Sequence, residues 1–150
     1  MHYGQTRRQS GAECRAQADA ITGDGYVVMG NYLASADVVP AMERAWRASE
    51  GRAFEDRLIA ALVGGRDAGG DIGGHRSACM LVHDLGPHPR TDLRIDFAPR
   101  HAGAPDAVDQ LKALLQRYQP VSEYYQMLPR KPTLPSWMKW LEEKGAPFQD

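Results

Sequence analysis

The run from Gly23 to Met42 constrains this chain more than any other stretch. It reads Gly-Asp-Gly-Tyr-Val-Val-Met-Gly-Asn-Tyr-Leu-Ala-Ser-Ala-Asp-Val-Val-Pro-Ala-Met. Val27 and Val28 suit a short strand over residues 26–29. Gly30-Asn31 then forms a turn pair that tolerates positive φ. Asp37 is placed to cap a helix, which puts Pro40 in the first turn, where a missing N–H costs nothing. Val38, Met42, Ala45 and Trp46 recur at helical spacing, so this helix is expected to reach about Ser49. Strand, corner and helix follow one another with no slack, as inside a packed domain.

The remainder supplies helices and one further pair of strands. Glu50-Gly51-Arg52 breaks the first helix. A second carries Phe54, Leu58, Ile59, Leu62 and Val63 as one apolar stripe. Gly64-Gly65 and Gly69-Gly70 are expected to end it and open a loop to Gly74. Residues 77–83 form a nearly continuous apolar run, as in a strand buried on both faces. Leu93, Ile95 and Phe97 alternate with Asp92, Arg94 and Asp96, the pattern of a half-buried strand. The two strands read as an antiparallel hairpin. A third helix is expected from about Pro105 to Tyr118, with Val108, Leu111, Leu114 and Leu115 inward. Pro120, Pro129, Pro132 and Pro135 then mark an irregular segment. A last short helix, residues 136–144, carries Trp137, Trp140 and Leu141 on one side. The order is α+β, a small, mainly antiparallel sheet packed with helices. Three short strands make a thin sheet. Either another chain completes it, or the N-terminal region adds a strand. The organisation expected is a domain over residues 1–118 and a Pro- and aromatic-rich C-terminal extension over 119–150.

Bulk properties exclude several classes. A net charge of −1 over 150 residues argues against a general nucleic-acid binder, which needs a strongly basic face. No apolar run approaches the ~18–20 residues of a membrane span. The N-terminus, Met-His-Tyr-Gly-Gln-Thr-Arg-Arg, lacks the apolar region of a signal peptide. Two separated cysteines, Cys14 and Cys79, fit a reduced, cytoplasmic setting.

The pattern Gly25-Tyr26-x-x-x-Gly30-Asn31-x-Leu33-Ala34-x-x-x-Val38-Val39-x-Ala41-Met42 resembles a bacterial family of unknown function, DUF1028. That family is usually grouped with the N-terminal-nucleophile hydrolases. Arg57-Leu58-x-Ala60-x-Leu62 resembles its second helix. Ala68-Gly69-Gly70-Asp71 followed by Ser77-Ala78 resembles its glycine-rich loop and buried strand, and residues 92–96 its last strand. Cys14 resembles a cysteine that precedes the first motif. The likeness covers roughly residues 9–118. It departs in three places: Met29 stands where the family has glutamine, Gly73 where it has arginine, and Arg76 where it has glutamine.

The resemblance implies an N-terminal-nucleophile-hydrolase-like half-domain corresponding to the C-terminal portion of the family fold. Relatives start on a strand with a small nucleophile directly after the initiator Met, whose free α-amino group serves as base. Here Met1 is followed by His2, so the usual nucleophile is not expected in this chain and its catalytic residues stay unassigned. Amide-bond hydrolysis is then expected only with a complementing N-terminal half, on a small-molecule amide or a peptide. The other reading is a non-catalytic binding or assembly module, a homo-oligomer whose copies cover exposed strand edges. Some family members carry a C-terminal extension proposed to bind peptidoglycan, which points such a module toward cell-wall glycan or protein.

The residues themselves offer a few candidate groups. Asn31 follows a strand and flanks a glycine, so its amide could face a carbonyl or oxyanion. The alternative is a left-handed turn residue capping the next helix. The loop from Gly69 to Arg76 superficially looks like a phosphate loop, but it runs from helix to strand and lacks the Lys-Ser/Thr pair. It reads equally as a helix cap and tight turn. In its functional version Asp71 and Arg76 line a pocket, while Gly30 and Gly70 admit close approach of a ligand. Cys14 could become an N-terminal thiol only after cleavage at Glu13, and otherwise is an ordinary, partly buried cysteine. His75, His83, His88 and His101 lack the short spacings of a zinc pair, so neither metal nor cofactor is expected. Tyr124-Tyr125, Trp137 and Trp140 form either a stacking surface for sugars or a partner chain, or a lid packed on the core.

Overall fold

The computed structural model describes residues 11–14 and 17–145. The architecture is α+β, with two small antiparallel two-stranded sheets packed against four helices. The chain divides into two compact units, Met1–Arg76 and Ser77–Asp150.

In the first unit, β1 (Asp19–Gly23) and β2 (Tyr26–Gly30) form a hairpin with Ile21 opposite Val28. The two-residue loop Asp24-Gly25 closes it, and Gly25 takes φ +75°, a conformation that glycine adopts without steric cost. β1 is a strand from the N-terminal region, one of the two alternatives the sequence left open, but it pairs with β2 alone and the strands form two separate sheets. Helices α1 (Val38–Ala48) and α2 (Phe54–Asp67) follow. Val28, Leu33, Val38 and Val39 form the buried cluster, with Ile21, Tyr26, Met42 and Ala68 packed around it. Asp37 precedes α1 as expected, but its side chain caps nothing: its backbone is already helical, with φ −81° and ψ −15°.

Gly64-Gly65 does not end α2. The helix runs through both glycines to Asp67. They are the contact surface with α1: a Cβ on Gly64 would stand 2.7 Å from Ala45 Cβ, and one on Gly65 would press into Met42. Of the expected apolar stripe only Ile59 is buried, and Phe54 is exposed. Phe54 instead meets Trp46 edge-on at 5.9 Å, and the Arg57 guanidinium lies 3.7 Å above the Trp46 ring.

On the outer face of this unit Tyr26 donates to Glu43 Oε1 at 2.8 Å, and Arg47 Nε donates to both at 3.0 and 2.9 Å. The Tyr26 hydrogen bond, followed by that of Arg47, holds the Glu43 carboxyl below its ordinary range. The sign follows directly: a depressed carboxyl binds its proton more weakly folded than unfolded, so this stabilisation is full at neutral pH and is lost on acidification. Tyr26→Phe is expected to raise the Glu43 pKa toward that of a free glutamate. Side-chain NMR titration of both proteins checks this, and an unmoved Glu43 curve would refute it.

In the second unit, β3 (Ala78–Val82) pairs antiparallel with β4 (Thr91–Ile95), with Met80 opposite Leu93. β3 is not buried on both faces. Met80 and Val82 point inward, while Cys79 and Leu81 are exposed, because α3 packs on one side of the hairpin only. α3 (Ala107–Met127) starts on Asp106, whose carboxylate accepts the N–H groups of Val108 and Asp109. It does not stop near Tyr118, and passes through Pro120. Pro120 and Gln116, whose carbonyl the proline leaves without its helical donor, are both on the exposed face, open to solvent. Val121 and Tyr124 hold the continuation by burial against Trp140 and Leu141 of α4 (Trp137–Glu143). Tyr124 also donates to the Pro135 carbonyl at 3.0 Å. Tyr124 and Trp140 are therefore core rather than a stacking surface, whereas Tyr125 remains exposed. Among the described residues no helix is long and apolar enough to cross a membrane.

Candidate functional site

The candidate site grows out of the end of α2. Gly69 N–H donates to Arg66 and Gly70 N–H to Gly65, with φ +112° and +55° at the two glycines. This is a helix-terminating glycine motif that satisfies two otherwise orphaned carbonyls. It turns the chain back along the segment after β2. Ala34 N–H then donates to the Gly70 carbonyl at 2.8 Å, and Ile72 N–H to the Tyr32 carbonyl at 3.1 Å. Leu33 and Asp71 form an isolated antiparallel bridge. The two motifs read separately from sequence, the Gly-Asn corner and the glycine-rich loop, are thus one short ladder.

Each glycine here has a steric reason. A Cβ on Gly30 would meet the Leu33 side chain at 2.9 Å, and Leu33 is buried in the core of this unit. A Cβ on Gly70 would collide with the His75 imidazole. That ring folds back over the loop, where its Nε2 accepts the Asp71 N–H at 3.4 Å. Asp71 Oδ1 accepts the Gly73 N–H at 2.6 Å, and the Asp71 carbonyl accepts that of Gly74. The loop is therefore built around Asp71 from both sides.

Asn31 is exposed at the corner, and among the described residues its amide has no hydrogen-bond partner. It is not the left-handed residue of the turn: Tyr32 is, at φ +57°. A non-glycine residue held there is strained, and such strain concentrates at functional sites. The ladder holds Gly70 and Asp71 against Ala34 and Leu33, while Gly30 and Asn31 precede it, Gly30 as the last residue of β2. Arg76 follows at the loop's far end, half-buried. Tyr32 and His75 were not anticipated as part of this group. Position gave no signal for Tyr32, and His75 drew notice only as a metal ligand. Among the described residues no three His, Cys, Asp or Glu side chains are grouped to hold a metal ion. Cys14 and Cys79 are both exposed, so Cys14 is not the partly buried cysteine that was one of its two readings. His2 lies outside the described residues.

Chemically, Asn31 offers an exposed carboxamide at the corner, and Asp71 a carboxylate whose Oδ1 accepts the Gly73 N–H. A carboxamide N–H can donate to an amide carbonyl, and a carboxylate can accept an amide N–H.

Comparison with known proteins adds the following. The model of the family of unknown function DUF1028 matches residues 1–104. The crystal structure of protein SPO2555 from Silicibacter pomeroyi, assigned to the same family model, aligns with a TM-score of 0.60 at 30% identity. The alignment covers 88% of this chain and 49% of that one, so this chain spans about half the length of that protein. No curated protein matches.

Proposed function

We propose, from the premise that this chain belongs to the DUF1028 family, that it is the substrate-side half of an amide-bond hydrolase of N-terminal-nucleophile type. The observation that supports the reading is the ladder joining Leu33 to Asp71, which ties the segment following Asn31 to the Asp71 loop. Asn31 donates to the carbonyl oxygen of a small amide or peptide, where negative charge grows during attack. Asp71 holds the amide N–H, Gly30 and Gly70 allow close approach, and Arg76 supplies positive charge at the edge. The nucleophile and its α-amino base come from a complementing N-terminal half. We keep residues 119–150 as an extension of that domain, and the cytoplasm as its compartment.

The test mixes this chain with the segment of the Silicibacter pomeroyi protein that it does not cover, against a panel of small amides and dipeptides. Turnover is expected in the mixture and in neither part alone. Asn31→Ala is expected to lower kcat of the mixture by ~100-fold, as for loss of one oxyanion donor. Asp71→Asn, which keeps the loop bond to Gly73, is expected to raise KM with less effect on kcat. A mixture without turnover would overturn the hydrolase.

A second reading rests on a different observation. Each hairpin has two strands only, and Met29 and Leu81 stand exposed on them at 50% and 57%. Such edges and faces invite a second copy of the chain, which makes a non-catalytic assembly module. Light scattering that returns a monomer at high concentration would remove it.

A further inference from the structure

The second unit contains a cavity that the hydrolase reading does not use. It has a volume of about 550 Å³ and lies between the β3–β4 loop, residues 84–90, and the C-terminal part of α3 with the turn after it. Its position is fixed by two bonds: Arg90 N–H donates to the Val82 carbonyl at 2.7 Å, and the Tyr118 hydroxyl donates to the Arg90 carbonyl at 2.9 Å. The loop is thereby tied both to its own strand and to the helix. Tyr118 is half-buried, so this bond is shielded from competing water.

The lining has a marked chemical division. Pro87, Pro89 and Pro129 contribute flat apolar surface without backbone donors, and Tyr125 adds an exposed ring braced edge-on by Tyr124 at 5.4 Å. Against these stand two guanidinium groups, Arg90 and Arg130. The only acidic side chain in the lining is Asp84, and its Oδ1 is taken up by the Gly86 N–H at 2.8 Å. The volume lies within the range of small-molecule sites and suits a ligand of more than one ring or a ring with a chain.

We propose that this cavity binds a small organic acid built on a flat ring, stacked on Tyr125 and the prolines with its acid group on Arg130. A guanidinium matches either a carboxylate or a phosphate in a planar, two-pronged bond. A ring without the acid makes no charged bond to Arg130, and an acid without the ring leaves the apolar walls wet. The site therefore discriminates on both features together.

Calorimetric titration of the full chain tests this with five probes: indole-3-acetate, phenyl phosphate, benzyl alcohol, acetate and inorganic phosphate. At least one of the first two is expected to bind about tenfold more tightly than any of the last three, a hydrogen bond to a charged group supplying a difference of that order. Which of the two binds identifies the acid. Arg130→Ala is expected to weaken it by about tenfold and Arg130→Lys by less, because the charge is kept. Tyr125→Leu, which keeps bulk but removes the stacking face, is expected to weaken the ring acid without creating affinity for acetate. Arg130 and Tyr125 are both exposed, and circular dichroism confirms that the variants fold. Absence of binding by both ring acids, equal binding of benzyl alcohol, or an Arg130→Ala variant with unchanged affinity would each overturn the proposal. The outcome is independent of amide hydrolysis, which the titration does not measure.

Discussion

Leu111→Ala is expected to destabilise the protein by about 2–5 kcal/mol, the cost of deleting a buried leucine and leaving a cavity. Leu111 is 0% exposed on the inner face of α3, and Met80, Val82 and Leu93 are the inward residues of the hairpin that α3 covers. That hairpin has only two strands, which are marginal alone and rely on a packed helix for stability. The leucine thus fastens the sheet as well as filling space, which places the loss toward the upper end of the range. Against a usual total of about 5–15 kcal/mol, such a loss removes much of the stability. Urea titration followed by Trp137 and Trp140 fluorescence reads it as a fall in midpoint. Leu111→Met, which conserves volume, is expected to cost less than about 1.5 kcal/mol. A Leu111→Ala loss below that of Leu111→Met would show that α3 does not anchor the hairpin.

The elements that were legible in the sequence are those whose patterns have one meaning. Alternation over residues 92–97 reads as a half-buried strand, which the structure ends at Ile95 with Phe97 exposed at positive φ, and the helical spacing from Val38 to Trp46 reads as an amphipathic helix. Those that were misread have patterns with two. A Gly-Gly pair ends a helix or admits a neighbour, and the difference lies in Ala41 and Ala45, which are distant in sequence. Pro120 reads as a stop unless Val121 and Tyr124 are known to be buried against α4. β1 was signalled by its Asp24-Gly25 turn, one of the strongest hairpin cues, but its strand residues Ala20 and Thr22 are weakly patterned. The apolar run 77–83 shows hydrophobicity without showing how many layers cover it.

The candidate site was legible in its parts and not in its assembly. Asn31 and Asp71 each stood out for residue type beside glycine. What ties their two segments is the Leu33–Asp71 bridge, made by backbone groups that carry no side-chain signature. His75 enters because Gly70 has no Cβ to exclude it, a consequence of three-dimensional closeness alone. Tyr32 holds a left-handed backbone where the next residue, Leu33, is fixed by burial and its own carbonyl by Ile72 N–H.

Gly64→Ala is the second large effect, and its sign runs against helix propensity. In an open helix interior the change would gain up to about 1 kcal/mol, since alanine is the better helix former. Gly64 is not in an open interior. Its added Cβ would stand 2.7 Å from Ala45 Cβ and 2.9 Å from the Ala41 carbonyl oxygen. Neither contact can be relieved by a rotamer change, because an alanine Cβ and a carbonyl oxygen are both fixed by the backbone of α1, which moves only as a whole helix. Overpacking of this kind costs ~1–3 kcal/mol, more than the propensity gain. A net loss of about 1–2 kcal/mol is therefore expected, and a larger one for Gly64→Val, whose branch adds bulk at the same point. Ala45→Gly in the Gly64→Ala background relieves the side-chain contact and leaves the carbonyl contact, so the double variant should recover only part of the loss. A double-mutant cycle of thermal midpoints measures this coupling directly. A more stable Gly64→Ala protein would mean that α1 and α2 do not approach closely at this point.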